Sequence, residues 1–163
     1  MKLFSLTFFV FLFSTFSLGA QTCEPIQSIT RVQKSFDYYF EQSVLWEREV
    51  KKNPENNNAW LNYFLAARYA NHFSKEATSR FKLKEIVAQA KGAIPESFEY
   101  YYMTYRLLGD CENMYKANEI DPDRKVALHD LQTCYLIDGD LENANKYVKK
   151  WYQNGDWSPN IFR

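Results

Sequence analysis

Residues 128–151 read LHDLQTCYLIDGDLENANKYVKKW and carry the clearest structural pattern in this chain. Leu128, Leu131 and Tyr135 recur at intervals of three or four residues, which is the spacing of one face of an α-helix. Gly139-Asp140 then interrupts the series. A second apolar series follows, formed by Leu141, Ala144, Val148 and Trp151. The stretch therefore predicts two helices joined by a tight turn, the second of which ends near Asn154-Gly155.

Earlier parts of the chain repeat this plan of a break followed by two helices. Each break contains a proline, which disfavours helix in the preceding residue. The breaks are at Asn53-Pro54, Ile94-Pro95 and Ile120-Asp121-Pro122. Trp60, Phe98 and Leu128 lie at equivalent places after these breaks, and their spacings of 38 and 30 residues average 34. A period of this length is typical of helical-repeat proteins, so we expect an all-α fold of antiparallel helix pairs.

The apolar pattern also predicts the extent and the buried side of the other helices. A long helix after Pro25 has an apolar face of Ile29, Val32, Phe36, Tyr39, Trp46 and Val50, interrupted once by Ser43. The next spans residues 59–69 and buries Trp60, Tyr63, Phe64 and Ala67, before a polar break at Asn71-His72. A helix over residues 75–91 follows, ends at Gly92 and buries Phe81, Ile86, Val87 and Ala90. Two more helices separate Pro95 from Ile120; the first carries Phe98, Tyr101, Tyr102 and Tyr105 and is closed by Gly109-Asp110.

The first 20 residues have the composition of a secretory signal peptide. Lys2 supplies a positive start, sixteen uncharged residues follow from Leu3 to Leu18, and Gly19-Ala20 are small. Cleavage after Ala20 gives a mature chain of residues 21–163 that is exported to the periplasm, the cell envelope or the medium, with no transmembrane span. A retained membrane anchor, or a lipoprotein with Cys23 as the lipidated residue, is the alternative.

Composition and motifs argue against several classes of function. Twenty basic and 20 acidic residues give a formal net charge of zero, whereas a nucleic-acid binder needs clustered positive charge. The sequence contains no Gly-rich phosphate loop and no nucleophile motif. His72 and His129 have no partner set at metal-ligand spacing. We therefore expect a protein that is not an enzyme and that holds neither a metal nor a cofactor.

Carboxylates near the tyrosine-rich helix are the one alternative to that expectation. They are Glu96, Glu99, Asp110 and Glu112. A glycosidase needs only two carboxylates some 5–10 Å apart. Acidic residues in the first turn of a helix are explained more simply by the helix dipole, which they stabilise.

Three cysteines remain after export, Cys23, Cys111 and Cys134. Because the number is odd, at least one is free or joined to another chain. Cys111 lies at the beginning of the short helix that ends near Ile120, and Cys134 lies late in the helix that follows. Because consecutive helices run antiparallel and pack side by side, we expect the two cysteines at a comparable height. A Cys111–Cys134 disulfide is one interpretation. Two buried, reduced cysteines that pack as small apolar residues are the simpler one.

The stretch quoted first resembles a tetratricopeptide repeat. The counterparts of the family pattern are Leu128, Leu131, Tyr135, the Gly139-Asp140 turn, Ala144 and Val148. Trp151 departs from it, because the family usually has a small residue there. The resemblance implies a tetratricopeptide-like α-solenoid, with a fold that is better specified than its function.

Two upstream units resemble the same repeat less closely. Phe98 to Gly109-Asp110 matches the first half of a repeat, but Met114 stands where a small residue is expected. The unit that begins at Trp60 has Asn71-His72 in place of the Gly-Asp turn. The resemblance thus implies four units, at residues 26–56, 57–94, 95–124 and 125–155.

In the tetratricopeptide family the first helix of each pair lines a concave groove that holds a peptide or a partner protein. The resemblance implies a groove faced by Leu61, Leu65, Arg68, Tyr69, Glu99, Met103, Arg106, His129, Thr133 and Leu136. Within it, Arg68 and Arg106 are expected to clamp a carboxylate of the partner. The implied function is a non-catalytic protein- or peptide-binding scaffold in the cell envelope.

Two other functions fit the sequence. A glycan-binding envelope protein stacks sugars on exposed aromatic rings, and Tyr100, Tyr101 and Tyr102 span nearly the whole circumference of a helix, so they cannot all face one core. Trp157 is a further candidate for such stacking. Alternatively, the chain is an accessory N-terminal module of a larger envelope protein, because residues 156–160 resemble another opening break and no polar cap follows the last unit.

Overall fold

The structure is a computed structural model that describes residues 22–26, 34–73 and 81–153. These residues form seven α-helices and a short 3-10 helix at Lys125–Ala127, and none of them lies in a β-strand. The α-helices are α1 (Phe36–Lys52), α2 (Asn57–Phe73), α3 (Leu83–Ala93), α4 (Phe98–Leu108), α5 (Cys111–Ile120), α6 (Leu128–Ile137) and α7 (Leu141–Gln153). The fold is all-α, as the sequence predicts. The predicted signal peptide, Ile29, Val32 and Trp157 lie outside the described residues.

The first helix begins later than the sequence predicts. The Ser35 hydroxyl accepts a hydrogen bond from the Tyr38 amide at 3.2 Å, so α1 starts at Phe36 with an N-cap. Residues 22–26 are not helical and lie against the helices instead. The Glu24 amide donates to Gln42 Oε1 at 2.7 Å, and the Ile26 amide donates to Asn62 Oδ1 at 2.6 Å. This segment therefore contacts both α1 and α2.

Ser43 does not interrupt the buried face of α1. It is fully buried, and its hydroxyl donates to the Phe40 carbonyl oxygen at 2.6 Å. A hydrogen bond to the preceding turn satisfies the hydroxyl, so a small polar residue is tolerated where two helices meet.

The predicted break at Asn71-His72 is wrong, because α2 continues to Phe73. The Asn71 side chain does not end the helix but binds the backbone of Phe81: its amide donates to the Phe81 carbonyl oxygen at 2.7 Å, and its oxygen accepts from the Phe81 amide at 3.2 Å. These two bonds hold the chain that enters α3 against the end of α2. Likewise Gly92 lies inside α3, which ends at Ala93.

The two predicted Gly-Asp turns are confirmed and are built alike. Gly109 and Gly139 have φ values of 78° and 77°, in the left-handed region that favours glycine. Asp110 and Asp140 follow them and cap the next helix, each by accepting a hydrogen bond at 3.0 Å from the amide three residues on. The C-terminal part of the chain thus repeats itself with an offset of 30 residues.

The helices pack mainly on their neighbours in the chain, and α2 also contacts α4. Short connections join α1 to α2, α4 to α5 and α6 to α7, so the members of each pair run antiparallel. The buried core runs through all three pairs; its largest fully buried side chains are Tyr102, Phe64, Leu65, Met103, Met114, Leu128 and Leu131. Among the helices that the structure describes, none is both long and apolar enough to cross a bilayer.

The buried side of α7 differs from the prediction. Ala144 and Tyr147 are buried, whereas Leu141 is 63% exposed and Val148 is half-buried. Tyr147 points inward because its ring stacks on Tyr135, with centroids 5.4 Å apart. Two apolar residues of α7 therefore face away from the core.

Candidate functional site

The predicted groove residues divide into a buried and an accessible group. Leu61, Leu65, Glu99 and Met103 are buried, so they hold the helices together rather than face an open groove. Arg68, Tyr69, Arg106, His129 and Thr133 are half-buried, and Leu136 is 48% exposed. The expectation that all ten line one surface is corrected accordingly.

Arg106 already has a carboxylate partner within the chain. Its guanidinium on α4 donates to both carboxylate oxygens of Asp130 on α6, at 3.0 and 2.9 Å. The Tyr102 hydroxyl donates to Asp130 Oδ2 at 2.9 Å. Arg106 is therefore not available to bind a carboxylate of a partner together with Arg68, although the sequence predicts this clamp. It neutralises a buried carboxylate of the next helix pair instead.

The environment of Asp130 lowers its pKa. Burial acts to raise the pKa of the carboxyl, but His129, whose Nδ1 lies 3.8 Å away, the charge of Arg106 and the hydrogen bonds from Tyr102 and Arg106 outweigh it. The net pKa lies below the usual value of an aspartate. Asp130 is therefore a charged group that stabilises the contact between α4 and α6.

Asp130→Asn is expected to lower the free energy of unfolding by about 2 kcal/mol at neutral pH, because charged hydrogen bonds are lost. A carboxyl whose pKa is lowered by folding stabilises the protein above its unfolded pKa of about 3.9. This contribution disappears as the pH falls through the folded value. Urea unfolding of wild type and variant from pH 7 to pH 3 should show their difference shrinking below about pH 4.

Asp138→Asn is the matched control, since Asp138 is exposed and its side chain accepts one hydrogen bond from the described residues, from the Tyr115 hydroxyl at 2.6 Å. At neutral pH, Asp138→Asn should lower the free energy of unfolding by less than Asp130→Asn does. Equal costs would show that the Asp130 contacts contribute no more than a surface bond.

A second ion pair links residues that the sequence did not connect. Arg124 donates to Glu99 Oε1 at 2.6 Å and to Asn58 Oδ1 at 3.1 Å. Its guanidinium also lies over the Phe98 ring, 4.3 Å from the centroid. Arg124 therefore joins α2 to α4 from the connection before α6, and it explains why Glu99 is buried.

Arg68 differs from these two arginines. Among the residues that the structure describes, it forms no salt bridge and donates no side-chain hydrogen bond. Burial lowers the pKa of its guanidinium, and the charge of Arg106 lowers it further; the Asp130 carboxylate and the nearby tyrosines act in the opposite direction but do not outweigh these two causes. Arg68 and Tyr69 line a cavity of about 410 Å³ together with Asn71 and His72. This cavity therefore presents a guanidinium that forms no salt bridge with a carboxylate of the described residues.

A second concavity, of about 710 Å³, lies where the connections before α4 and α6 meet. Its lining includes Glu55, Glu96, Asp121, Ile94, Phe98 and Arg124. Arg124 is engaged with Glu99, so the remaining charge of this cleft is acidic. The charge of this cleft is thus opposite in sign to that of the Arg68 cavity.

The tyrosine-rich helix offers less aromatic surface than the glycan hypothesis requires. Tyr102 is fully buried, and Tyr100 and Tyr101 are half-buried and pack against the core. Tyr102 therefore offers no surface on which a sugar could stack.

Three of the four carboxylates considered for catalysis have structural partners, and the fourth, Glu96, lines the acidic cleft. Asp110 caps α5, Glu112 pairs with Lys116 at 2.6 Å, and Glu99 pairs with Arg124. The two histidines contact aromatic rings edge-on: His72 meets Phe73, and His129 meets Trp151. In the described part of the chain, no group of three or more ligating side chains is arranged to hold a metal ion.

Cys111 and Cys134 form a disulfide bond, with their Cα atoms 5.4 Å apart. The structure therefore has the bridge rather than two reduced cysteines. The bond joins the first residue of α5 to the buried side of α6. Cys23 is free and half-buried, and burial raises the pKa of its thiol.

The site is thus a half-buried arginine beside a cavity, on helices that inner ion pairs hold together. The tetratricopeptide resemblance rests on the residues quoted from the sequence. Comparisons with protein-family models and with curated proteins found no match.

Proposed function

We propose that this chain is a non-catalytic scaffold of the cell envelope whose tetratricopeptide-like helix pairs bind a peptide or a partner protein. The observation that carries the proposal is Arg68, a half-buried guanidinium beside a cavity of about 410 Å³. A carboxylate of the partner would neutralise it in a charge-assisted hydrogen bond. The adjacent Tyr69 ring supplies the apolar contact that interfaces favour.

Two features favour the envelope as the location. The N-terminal 20 residues have the pattern of a signal peptide. A disulfide such as Cys111–Cys134 persists in oxidising compartments and is rare in the cytosol. The signal-peptide pattern and the disulfide thus both favour a location outside the cytosol.

The expected test result is that Arg68→Glu abolishes capture of the partner. The mature chain, residues 21–163, is immobilised and exposed to envelope extract, and bound proteins are quantified by mass spectrometry. Reversing the charge replaces attraction for a carboxylate by repulsion. Because Arg68 forms no ion pair in the described chain, its reversal should leave the melting temperature nearly unchanged.

Arg48→Glu is the matched control, since Arg48 is an exposed arginine of α1. It should capture the same proteins as the wild type. If Arg68→Glu retains them as well, the Arg68 cavity is not the binding site. If neither wild type nor control enriches any protein over an empty resin, the scaffold proposal itself is contradicted.

A further inference from the structure

Residues 22–26 lie on α1 and α2 in a non-helical conformation, and side chains of the two helices bind their main chain. We call these five residues the docked segment. The Gln42 side chain makes two of the bonds: its oxygen accepts from the Glu24 amide at 2.7 Å, and its nitrogen donates to the Thr22 carbonyl oxygen at 3.2 Å. One glutamine of α1 therefore contacts the main chain of the docked segment at two points.

Two further side chains complete this set of main-chain bonds. The Trp46 indole N–H donates to the Glu24 carbonyl oxygen at 2.9 Å, and Asn62 Oδ1 accepts from the Ile26 amide at 2.6 Å. We call Gln42, Trp46 and Asn62 the segment site. The bonded positions alternate along the docked segment, which is the pattern of an extended chain. The segment site thus recognises an extended main chain, whatever side chains that chain carries.

Gln42 restricts what can occupy the segment site. It is only 4% exposed, and its amide donor and its amide acceptor both bond to the docked segment. A buried amide that lacks hydrogen-bond partners is unfavourable. An apolar occupant such as a lipid chain would leave both groups without partners, whereas a peptide main chain supplies one acceptor and one donor. The segment site therefore favours a peptide.

The side chains of the docked segment add a sequence preference. Ile26 is 8% exposed and packs in the hydrophobic core. The Glu24 carboxylate accepts a hydrogen bond from the Tyr38 hydroxyl at 2.9 Å. Pro25, between them, fixes its own φ and favours an extended conformation of the preceding residue, which reduces the entropy lost on docking. The bound sequence is thus an acidic residue, a proline and a branched aliphatic residue.

The anchoring of the docked segment is light. Thr22, Glu24 and Pro25 are exposed, Cys23 is half-buried, and only Ile26 is buried. Segments with few buried apolar contacts open at a lower free energy than the core of a domain. Release of the docked segment therefore does not require that α1 and α2 unfold, so another peptide can take its place.

We propose that the segment site is a binding site for extended peptides with an acidic residue, a proline and a branched aliphatic residue in succession. Residues 22–26 occupy it in cis, and a partner segment of this chemistry displaces them. The docked segment acts as a tethered competitor, because its effective concentration sets the affinity that a partner must exceed. This site shares no residue with the lining of the Arg68 cavity, so it adds a second binding surface to the proposed scaffold.

Binding of a synthetic peptide tests this proposal. The probe is fluorescein-labelled Thr-Ser-Glu-Pro-Ile, the sequence of residues 22–26 with serine in place of the cysteine, with its C-terminus amidated. Fluorescence anisotropy measures its Kd for the mature chain, residues 21–163, and for the variant Ile26→Asp, which releases the docked segment without altering the segment site. Ile26→Asp should bind the probe at least about tenfold more tightly than the wild type, because the tethered competitor is gone.

Two double variants locate the bound probe. Gln42→Met combined with Ile26→Asp removes the donor and the acceptor for the main chain of the peptide and should abolish the gain in affinity. Gln132→Met combined with Ile26→Asp makes the same change at a half-buried glutamine of α6 and should retain the gain. A probe with aspartate in place of the isoleucine should bind none of these proteins.

Equal affinity of the wild type and Ile26→Asp, or a gain that survives Gln42→Met, would overturn the proposal. Ile26→Ala replaces Ile26→Asp if circular dichroism shows that the latter does not fold. Loss of the helical signal in both variants would show that the docked segment is a fixed part of the core, and this too would overturn the proposal.

Sedimentation of the wild type and of Ile26→Asp tests a second copy as the occupant. A wild-type dimer that Ile26→Asp converts into a monomer would show that residues 22–26 are exchanged between copies, and would overturn the assignment to a partner peptide. Monomers in both cases would support it. These measurements need neither Arg68 nor an envelope extract, so their outcome is independent of the function proposed above.

Discussion

Trp60→Ala is expected to lower the free energy of unfolding by about 3–5 kcal/mol, the range for truncation of a buried large aromatic side chain. Trp60 is only 5% exposed in α2. Its indole N–H also donates to the Pro54 carbonyl oxygen at 2.7 Å. The variant therefore leaves a cavity in the core and removes the bond that fixes the start of α2. Urea denaturation followed by circular dichroism measures the loss.

Trp46→Ala is the control for this variant. Trp46 is half-buried, and its indole N–H donates to the Glu24 carbonyl oxygen at 2.9 Å. It therefore loses a similar hydrogen bond but less buried surface, so its cost should be clearly smaller. If Trp60→Ala cost no more than Trp46→Ala, Trp60 would not belong to the core.

Removal of the Cys111–Cys134 disulfide is expected to cost about 3 kcal/mol in the chain-entropy model, since the bond joins residues 23 apart in sequence. The variant to compare with the wild type is the double substitution Cys111→Ala and Cys134→Ala. Cys23→Ser is the control, because Cys23 forms no disulfide. Unfolding of the exported protein by urea, with and without reductant, measures the difference.

Mass spectrometry identifies the bond directly. Protein exported to an oxidising compartment and alkylated without reduction should give a Cys111–Cys134 cross-linked peptide and an alkylated Cys23. Full alkylation of Cys111 and Cys134 after denaturation would contradict the disulfide.

The sequence predicts the helices best where the residue types leave little freedom. Gly109 and Gly139 take the left-handed backbone conformation that other residues avoid, so the ends of α4 and α6 follow from the chain alone. Asn71 is different, because an asparagine in a polar stretch is typical of both a break and a helix surface. Its side chain bonds to Phe81, ten residues later, and this tertiary contact keeps α2 helical.

The site was less predictable than the fold because it, too, depends on contacts between residues that are remote in sequence. The partners of the arginines are remote in sequence: Asp130 lies 24 residues after Arg106, and Asn58 lies 66 residues before Arg124. A helical pattern identifies which residues share a face, but it does not reveal whether a cation on that face is already neutralised. Glu99 and Met103 illustrate this, since they share the expected face and are nevertheless buried.

The contacts between the last two helix pairs have a consequence for how the chain unfolds. In a linear array of units, stability is approximately a sum of intrinsic terms and nearest-neighbour coupling terms. Here the coupling term combines a covalent link, a buried ion pair and the Tyr115 and Asn118 hydrogen bonds. Strong coupling suppresses partly unfolded states, so we expect the pair α6–α7 not to unfold ahead of the pair α4–α5. We therefore expect the helices from α4 to α7 to unfold as one cooperative unit rather than as two independent hairpins.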